Sequence, residues 1–319
     1  MKEISEEIWS GNEYAYKAAY GFVPGIHGYL HEDEKVRDCI IVLPGGGYCV
    51  CAPHEGAPVA MEFYNKGMNA FVLTYTTDIT MSVPLKKQPL EDISRAVRLV
   101  RKKYGAGGKV IICGFSAAAH VCGSLAVHYT DIKDPDPDYG KVSNKPDGVI
   151  LSYPVISSGK YGHGSSFEAL LGKGPSEEEL EYFSLEKQVT PDTPPCFLWQ
   201  TLTDELVPVE NSYMFADALK ANGIPYAHYV FPMGVHGLGL AGKGADVDGS
   251  YVMKQVELAV TAVKAGKGVD VSDARRRELM EQFPDEEIGW ETTNPHDLSD
   301  IGRDVGMWAD LAYIWMSRL

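Results

Sequence analysis

The sequence predicts an α/β fold in which helices cover both faces of a mainly parallel central sheet. Short apolar runs alternate with amphipathic segments along most of the chain. The run at 39–43 is apolar throughout, which is typical of a strand that is buried on both faces. Strands that alternate with helices pair in parallel through right-handed crossovers. We therefore expect an open sheet between two helical layers.

The individual elements follow from this alternation. Residues 1 to 37 carry scattered aromatic side chains around glycines, which indicates one or two antiparallel strands at a sheet edge. The predicted helices end at helix-breaking residues, such as Gly67 after the first and Asn222-Gly223 after the last. The remaining strands are predicted at 39–43, 70–75, 110–113, 148–153, 196–200 and 226–231, and the helices between them at 55–66, 89–104, 117–129 and 208–221.

The long segment at 154–195 contains no predicted strand, only loop and short helix. One helix start is indicated by Ser176 and Glu179, whose spacing is that of a capping box. A long excursion after the carboxyl end of a strand is where α/β enzymes build substrate pockets, so we expect a pocket-forming role for this segment. No internal repeat or linker interrupts the pattern, and residues 1–319 are predicted to form a single domain.

The composition is that of a globular protein with an acidic surface. The chain has 319 residues, of which 45% are hydrophobic, and a formal net charge of -15. This negative charge disfavours binding to nucleic acid or to an anionic membrane surface. The amino-terminal residues show no apolar signal segment, and no run is long enough to span a bilayer. We therefore expect a cytoplasmic protein without nucleic-acid or membrane partners.

The stretch from Gly114 to Ala118 has the pattern Gly-x-Ser-x-Ala between a predicted strand and a predicted helix. This pattern is typical of a nucleophile elbow, in which a sharp turn exposes the hydroxyl of Ser116 and needs small residues two positions before and after it. An ordinary buried strand followed by a helix that starts with serine explains the pentapeptide equally well. Other members of a catalytic set must decide between the two interpretations.

A serine nucleophile needs a histidine base and a carboxylate that orients the histidine. His236 lies in a glycine-flanked loop directly after the last predicted strand, and Asp204 lies in the loop after the preceding strand. Both loops are expected at the same sheet edge as Ser116. Glu205 is the alternative acid. His120 is the alternative base, although its place one helical turn after the serine favours a hydrogen-bonded helix residue.

An acyl-transfer intermediate also needs backbone N–H donors for its oxyanion. The residue after the nucleophile, Ala117, supplies one, and the glycine triplet Gly45-Gly46-Gly47 after the first buried strand can supply others. A phosphate loop or a plain turn is the alternative for the triplet, but no Lys-Ser or Lys-Thr follows it. The Cys49-Val-Cys51 spacing matches redox and zinc motifs poorly, so neither a metal nor a cofactor is predicted.

Together these motifs resemble the α/β-hydrolase superfamily and, more narrowly, the acetyl esterase and acetyl-xylan esterase-like group among its esterases and lipases. The resemblance covers about residues 22 to 241 and the final helix from Trp308. It implies an α/β-hydrolase fold. The matching segments are 44–48, 114–120, 190–195, 204–212 and 236–240.

The resemblance also assigns roles to the motif residues. It implies that Ser116 is the nucleophile, Asp204 the acid and His236 the base of a catalytic triad. The oxyanion hole is expected to consist of Gly46, Gly47 and Ala117. The substrate pocket is expected to be lined by Tyr48, Phe115, Tyr153 and Leu206.

The chain departs from the family pattern in two places. Ser116-Ala-Ala-Ala-His120 stands where the family usually has Ser-Ala-Gly-Gly-His, and the two added methyl groups are expected to narrow the pocket. An insertion of about fifty residues, at about 243–295, precedes the last helix. Helical spacing from Tyr251 onward and at 272–283 predicts two helices, packed beside the active-site mouth. A remote surface embellishment is the alternative.

With the triad motifs, the resemblance implies a serine carboxylesterase that removes short acyl groups, acetyl above all, from carbohydrate such as xylan fragments. Its partner would be a small-molecule or oligosaccharide ester, and a homo-oligomer remains open. An amide hydrolase, such as a formamidase or small peptidase, would use the same triad. A non-catalytic binding protein with this fold is a further alternative, which an intact set of Ser, Asp and His argues against.

Overall fold

The central element of the structure is a mixed, mostly parallel sheet. A computed structural model describes residues 1–105, 107–245, 247–284 and 304–319. The described residues form eight strands in the spatial order 1-2-4-3-5-6-7-8. The strands are β1 (Lys2–Glu7), β2 (Gly25–Leu30), β3 (Cys39–Leu43), β4 (Asn69–Thr74), β5 (Val110–Phe115), β6 (Gly148–Ser152), β7 (Cys196–Thr201) and β8 (Tyr226–Phe231).

The sheet confirms the predicted strands, whose ends differ from the observed ends by at most two residues. The expected antiparallel edge is also present, because β1 pairs with β2 and β2 with β4 in antiparallel register. All pairs from β4 through β3 to β8 are parallel. Every residue of β3, β5, β6 and β7 is buried, as expected for strands covered on both faces.

Helices cover both faces of the sheet. They are α1 (Ala57–Asn65), α2 (Gln88–Lys103), α3 (Ala117–His128), α4 (Pro137–Gly140), α5 (Gly164–Leu171), α6 (Glu177–Tyr182), α7 (Glu210–Ala221), α8 (Lys254–Lys264), α9 (Asp273–Gln282) and α10 (Trp308–Met316). The step from β3 to β4 runs toward one sheet edge, and the step from β4 to β5 runs toward the other. Right-handed crossovers therefore place α1 and α2 on opposite faces. Accordingly, α1 packs with α10 and α2 packs with α3.

The sequence that precedes α6 and α9 explains where these helices begin. Ser176 and Glu179 form the predicted capping box at the start of α6. The hydroxyl of Ser272 accepts the N–H of Arg275 at the start of α9. Such caps satisfy backbone donors that have no partner inside the helix. None of the helices in the described part of the chain is long and apolar enough to span a bilayer.

The predicted insertion at about 243–295 folds into α8 and α9 in its described part. Residues 246 and 285–295 of this prediction lie outside the described residues. The valines of the predicted stripe are buried and join the hydrophobic core that the sheet also forms: Val252, Val256, Val260 and Val263.

Polar contacts hold the insertion on the loop that follows β4. The side chain of Gln255 accepts the N–H of Thr77 at 2.9 Å, and the guanidinium of Arg275 donates to the carbonyl of Ile79 at 2.7 and 2.9 Å. The division of the chain into one domain with this insertion stays a prediction.

Candidate active site

Ser116 occupies a sharp turn between β5 and α3. Its backbone has φ 54° and ψ -120°, a conformation that costs a residue with a side chain about 1–3 kcal/mol. Gly114 permits the turn, since a Cβ at this position would lie 2.3 Å from the carbonyl oxygen of Ala118. Gly114 is therefore small for the reason that the motif predicted. The geometry is that of a nucleophile elbow rather than of an ordinary strand and helix.

The side chain of Ser116 begins a continuous hydrogen-bonded chain. Its hydroxyl donates to Nε2 of His236 at 2.8 Å, and Nδ1 of His236 donates to Oδ2 of Asp204 at 2.7 Å. We assign this tautomer because an ionised carboxylate can only accept. The other oxygen of Asp204 accepts the N–H groups of Leu206 and Val207 at 3.0 and 2.9 Å. The carboxylate is thus fixed on both oxygens.

The two adjacent acids differ in their surroundings. The carboxyl side chain of Asp204 is fully buried against His236. Glu205 is exposed and makes no hydrogen bond to His236 among the described contacts. The structure therefore brings Asp204, Ser116 and His236 together and leaves Glu205 outside the hydrogen-bonded chain.

Two of the predicted oxyanion donors line the cleft with the serine, and the third is the residue that follows it. Gly46 and Gly47 have φ values of 135° and 63°, which favour glycine, and both line the same cleft as Ser116. A Cβ on Gly46 would lie 2.4 Å from the carbonyl oxygen of Val50. Ala117 is the first residue of α3, where backbone N–H groups have no partner inside the helix. Within the described residues, the N–H groups of Gly46, Gly47 and Ala117 donate to no other protein group.

These groups open into a cleft of about 630 Å³. Leu206 lines the cleft as predicted and is 52% exposed. The cleft is lined by Gly46, Gly47, Ala52, His54, Glu55, Ser116, His163, Ser165, Glu205, Leu206, Val235, His236 and Gly237. Among the described residues, no group of three or more His, Cys, Asp or Glu side chains is arranged to hold a metal ion.

The prediction that Tyr48, Phe115 and Tyr153 line the pocket is wrong for this cleft. All three are at most 2% exposed. The hydroxyl of Tyr48 is bonded to His120, the ring of Phe115 packs on Tyr153, and the hydroxyl of Tyr153 is bonded to Glu55. Their side chains belong to the core beneath the site, although Tyr48 follows the glycine triplet and Phe115 precedes Ser116 in the chain.

Comparison with known proteins identifies the family of this chain. The family described as BD-FAE matches residues 29–219, which is more than half of the chain. The chain belongs to the BD-FAE family of α/β-hydrolases. An acetyl ester-xyloside hydrolase and a carboxylesterase of known structure share this fold. The family match and these structures confirm the resemblance that the motifs indicated.

Individual relatives extend the comparison. Endo-1,4-beta-xylanase B of Butyrivibrio fibrisolvens is 60% identical over 270 residues, covering 82% of this chain and 42% of the relative. The chain thus spans less than half the length of that curated relative. The acetyl ester-xyloside bifunctional hydrolase of Caldicellulosiruptor lactoaceticus is 35% identical, with a TM-score of 0.70 over 83% of this chain and 97% of that chain.

A solved structure with lower sequence identity shares the fold of this chain, and the comparison shows the fold alone. The carboxylesterase Cest-2923 of Lactobacillus plantarum WCFS1 is 20% identical, with a TM-score of 0.68. It covers 100% of this chain and 98% of that chain.

In this BD-FAE chain, His120 is a structural histidine, as its position predicted. Its Nε2 donates to the carbonyl of Phe183 at 2.8 Å, and its Nδ1 accepts the hydroxyl proton of Tyr48 at 2.7 Å. Burial lowers the pKa of His120 to about 4, so the ring is neutral at neutral pH. Both of its nitrogens are used inside the core.

Sequence reasoning missed a buried network that connects the two loops of the site. The carboxylate of Glu55 accepts the N–H of Gly45 at 2.7 Å and the hydroxyl of Tyr153 at 2.5 Å. The Tyr153 oxygen also accepts the N–H of Gly239 at 3.1 Å, and its ring stands edge-on to His236. From the sequence, Glu55 was placed only at the start of a predicted helix. Nothing in the local pattern shows that its carboxylate is buried, because Tyr153 lies 98 positions away in the chain.

Removing the Tyr153 hydroxyl should therefore loosen the site without emptying the core. We expect Tyr153→Phe to lower kcat by about 10- to 100-fold with a small change in KM, because the Gly239 N–H loses its acceptor and Glu55 loses a donor. Steady-state kinetics on an aryl acetate and thermal unfolding measure the two effects.

The control for this variant is Tyr75→Phe. The buried hydroxyl of Tyr75 donates to the carbonyl of Pro44 at 3.2 Å, beside the same glycine loop, but the Tyr75 side chain has no described hydrogen bond to the histidine loop. An equal loss of kcat in both variants would contradict a role for the network in joining the two loops.

Proposed function

We propose that this protein is a serine carboxylesterase that removes short acyl groups, acetyl above all, from carbohydrate such as xylan fragments. The observation that carries the proposal is the hydrogen-bonded chain from Asp204 through His236 to Ser116, which ends beside free backbone N–H groups in an open cleft. Each part of this arrangement serves acyl transfer.

In the proposed mechanism, Nε2 of His236 takes the proton of Ser116 as the serine oxygen attacks the ester carbonyl. The buried carboxylate of Asp204 stabilises the imidazolium that forms. The N–H groups of Gly46, Gly47 and Ala117 donate to the oxyanion of the tetrahedral intermediate. His236 then protonates the leaving alcohol, and a water molecule hydrolyses the acyl-enzyme with the same base.

Two considerations support a neutral carbohydrate ester as substrate. The relatives are named as a xylanase and as an acetyl ester-xyloside hydrolase, so acetylated xylan fragments fit the family. The net charge of -15 favours a neutral substrate over an anionic one. The cleft holds both exposed apolar and polar side chains, among them Leu206 and Ser165, and such a mixture suits a sugar ring.

Ester and amide substrates separate this proposal from its nearest rival. We expect turnover of acetylated xylo-oligosaccharides and 4-nitrophenyl acetate, falling as the acyl chain lengthens, and little turnover of the matching aryl amide. Amide turnover that exceeds ester turnover would replace the esterase with an amide hydrolase. Failure of a sulfonyl fluoride probe to label Ser116, together with absent ester turnover, would leave a binding protein.

A further inference from the structure

A second histidine lies in the cleft, and the proposed triad does not use it. His163 comes from the loop before α5, and it lines the cleft together with Ser116 and His236. Its Nδ1 lies 2.8 Å from the hydroxyl oxygen of Ser166, which is buried. The same hydroxyl lies 3.9 Å from the position that a Cβ on Gly47 would take. The ring of His163 is therefore anchored next to the glycine loop.

Burial and nearby charged groups determine the protonation state of His163. Burial lowers the pKa of His163, electrostatic interaction with His236 lowers it further, and the carboxylate of Asp204 raises it. His163 thus lies within electrostatic range of the Asp204–His236 pair. In the proposed mechanism, His236 of this pair gives its proton to the leaving alcohol. The lowered pKa keeps the ring neutral at neutral pH, with one nitrogen as donor and the other as acceptor.

The second ring nitrogen of His163 is hydrogen-bonded to an exposed serine. Its Nε2 lies 3.2 Å from the hydroxyl oxygen of Ser165, which is exposed to solvent. This separation is comparable to that between neighbouring hydroxyl oxygens on a sugar ring. Nδ1 of His163 is bonded to Ser166, so the ring can bind a ligand only through Nε2. The exposed Ser165 hydroxyl can rotate away, which exchanges its bond with Nε2 for bonds to the ligand. Nε2 and the Ser165 hydroxyl can then each make a hydrogen bond to one of two adjacent sugar hydroxyls.

Apolar side chains complete the lining near these polar atoms. Leu206 and Val235 line the same cleft and are 52% and 39% exposed. Large exposed apolar side chains beside polar groups are typical of a binding surface. A sugar ring presents hydroxyl groups at its edge and C–H groups on its faces, so it can contact both kinds of side chain at once.

We propose that His163 and Ser165 form a subsite that hydrogen-bonds two neighbouring hydroxyls of the sugar from which the acyl group is removed, while Leu206 and Val235 contact its C–H face. This inference rests on the proposed esterase function and adds the residues that recognise the alcohol half of the ester. An aryl ester has no hydroxyls for the subsite. The subsite therefore selects sugar esters over aryl esters.

The test compares two esters in the same variants. For wild type, His163→Ala and Ser165→Ala, kcat/KM is measured on acetylated xylo-oligosaccharide and on 4-nitrophenyl acetate. We expect the ratio of the sugar ester value to the aryl ester value to fall by about 10- to 100-fold in His163→Ala, because the variant loses the imidazole and also the hydrogen bond that positions the Ser165 hydroxyl. In Ser165→Ala the same ratio should fall by about threefold or more, since one hydrogen-bonding partner is removed. The exposed Ser165 provides a variant that tests the subsite even where His163→Ala folds poorly.

The control variant is His31→Ala. His31 is half-buried like His163, but it stacks on Tyr64 outside the cleft, and its removal should leave the ratio unchanged. A ratio that stays within about twofold of wild type in both subsite variants would overturn the proposal. Wild-type protein that hydrolyses only the aryl ester would refute the carbohydrate function itself, and the subsite with it. The wild-type measurement tests the function, and the variant ratios test the subsite.

Discussion

Replacing Ser116 with alanine should lower kcat by about 10⁶-fold, the loss typical of a serine nucleophile. The hydroxyl oxygen of Ser116 contacts Nε2 of His236 and faces the open cleft, so its removal creates no cavity in the core. Alanine carries the same backbone strain at φ 54° as serine does. The free energy of unfolding should therefore change little. Kinetics on 4-nitrophenyl acetate and thermal unfolding measure the two quantities.

A serine inside α3 provides the control for this variant. Ser124 is buried, and its hydroxyl has no hydrogen-bond partner in the described part of the chain. Ser124→Ala should retain activity because this residue lies outside the cleft. If Ser116→Ala kept activity within about tenfold of wild type, Ser116 would not be the nucleophile.

Replacing Asp204 with asparagine should lower kcat by about 10⁴-fold. One oxygen of Asp204 accepts the N–H groups of Leu206 and Val207, and the asparagine carbonyl can keep these bonds. The amide nitrogen would then face Nδ1 of His236 and donate to it. This arrangement favours the tautomer with the proton on Nε2, which cannot accept the proton of Ser116. The fold should survive, since the backbone contacts are kept.

The adjacent acid supplies the comparison. Glu205→Gln should cost less than about tenfold in kcat on an aryl acetate, because the exposed Glu205 has no described hydrogen bond to His236. A pH profile of kcat/KM for both variants adds a second measurement. A larger loss in Glu205→Gln than in Asp204→Asn would transfer the acid role to Glu205.

Local patterns in the sequence predicted most of the fold. Strands β3 and β8 were located with their observed ends, and Gly67 and Asn222-Gly223 marked helix ends correctly. Such features depend on the periodicity of burial and on backbone preferences within a few residues. The small residues around Ser116 are equally local, because the turn itself excludes a larger side chain at Gly114.

The pocket residues show where local reasoning stops. Tyr48, Phe115 and Tyr153 flank the motifs in the chain, yet their side chains turn into the core. The sequence places a backbone at the carboxyl edge of the sheet, but it does not say which side of that backbone faces solvent. That choice depends on distant partners. Tyr153 is bonded to Glu55, 98 positions away, and Tyr48 is bonded to His120, 72 positions away.

By itself, the sequence determined the succession of strands and helices along the chain and named Ser116, Asp204 and His236 as candidates. The tertiary structure alone decided that Glu55 joins the glycine loop to the histidine loop and that His163 enters the cleft from the 154–195 segment. Ser116 and His236 are 120 positions apart, and only the sheet brings their loops to one edge. Contacts of this kind depend on how irregular loops pack over long chain distances, and no periodicity in the sequence encodes that packing.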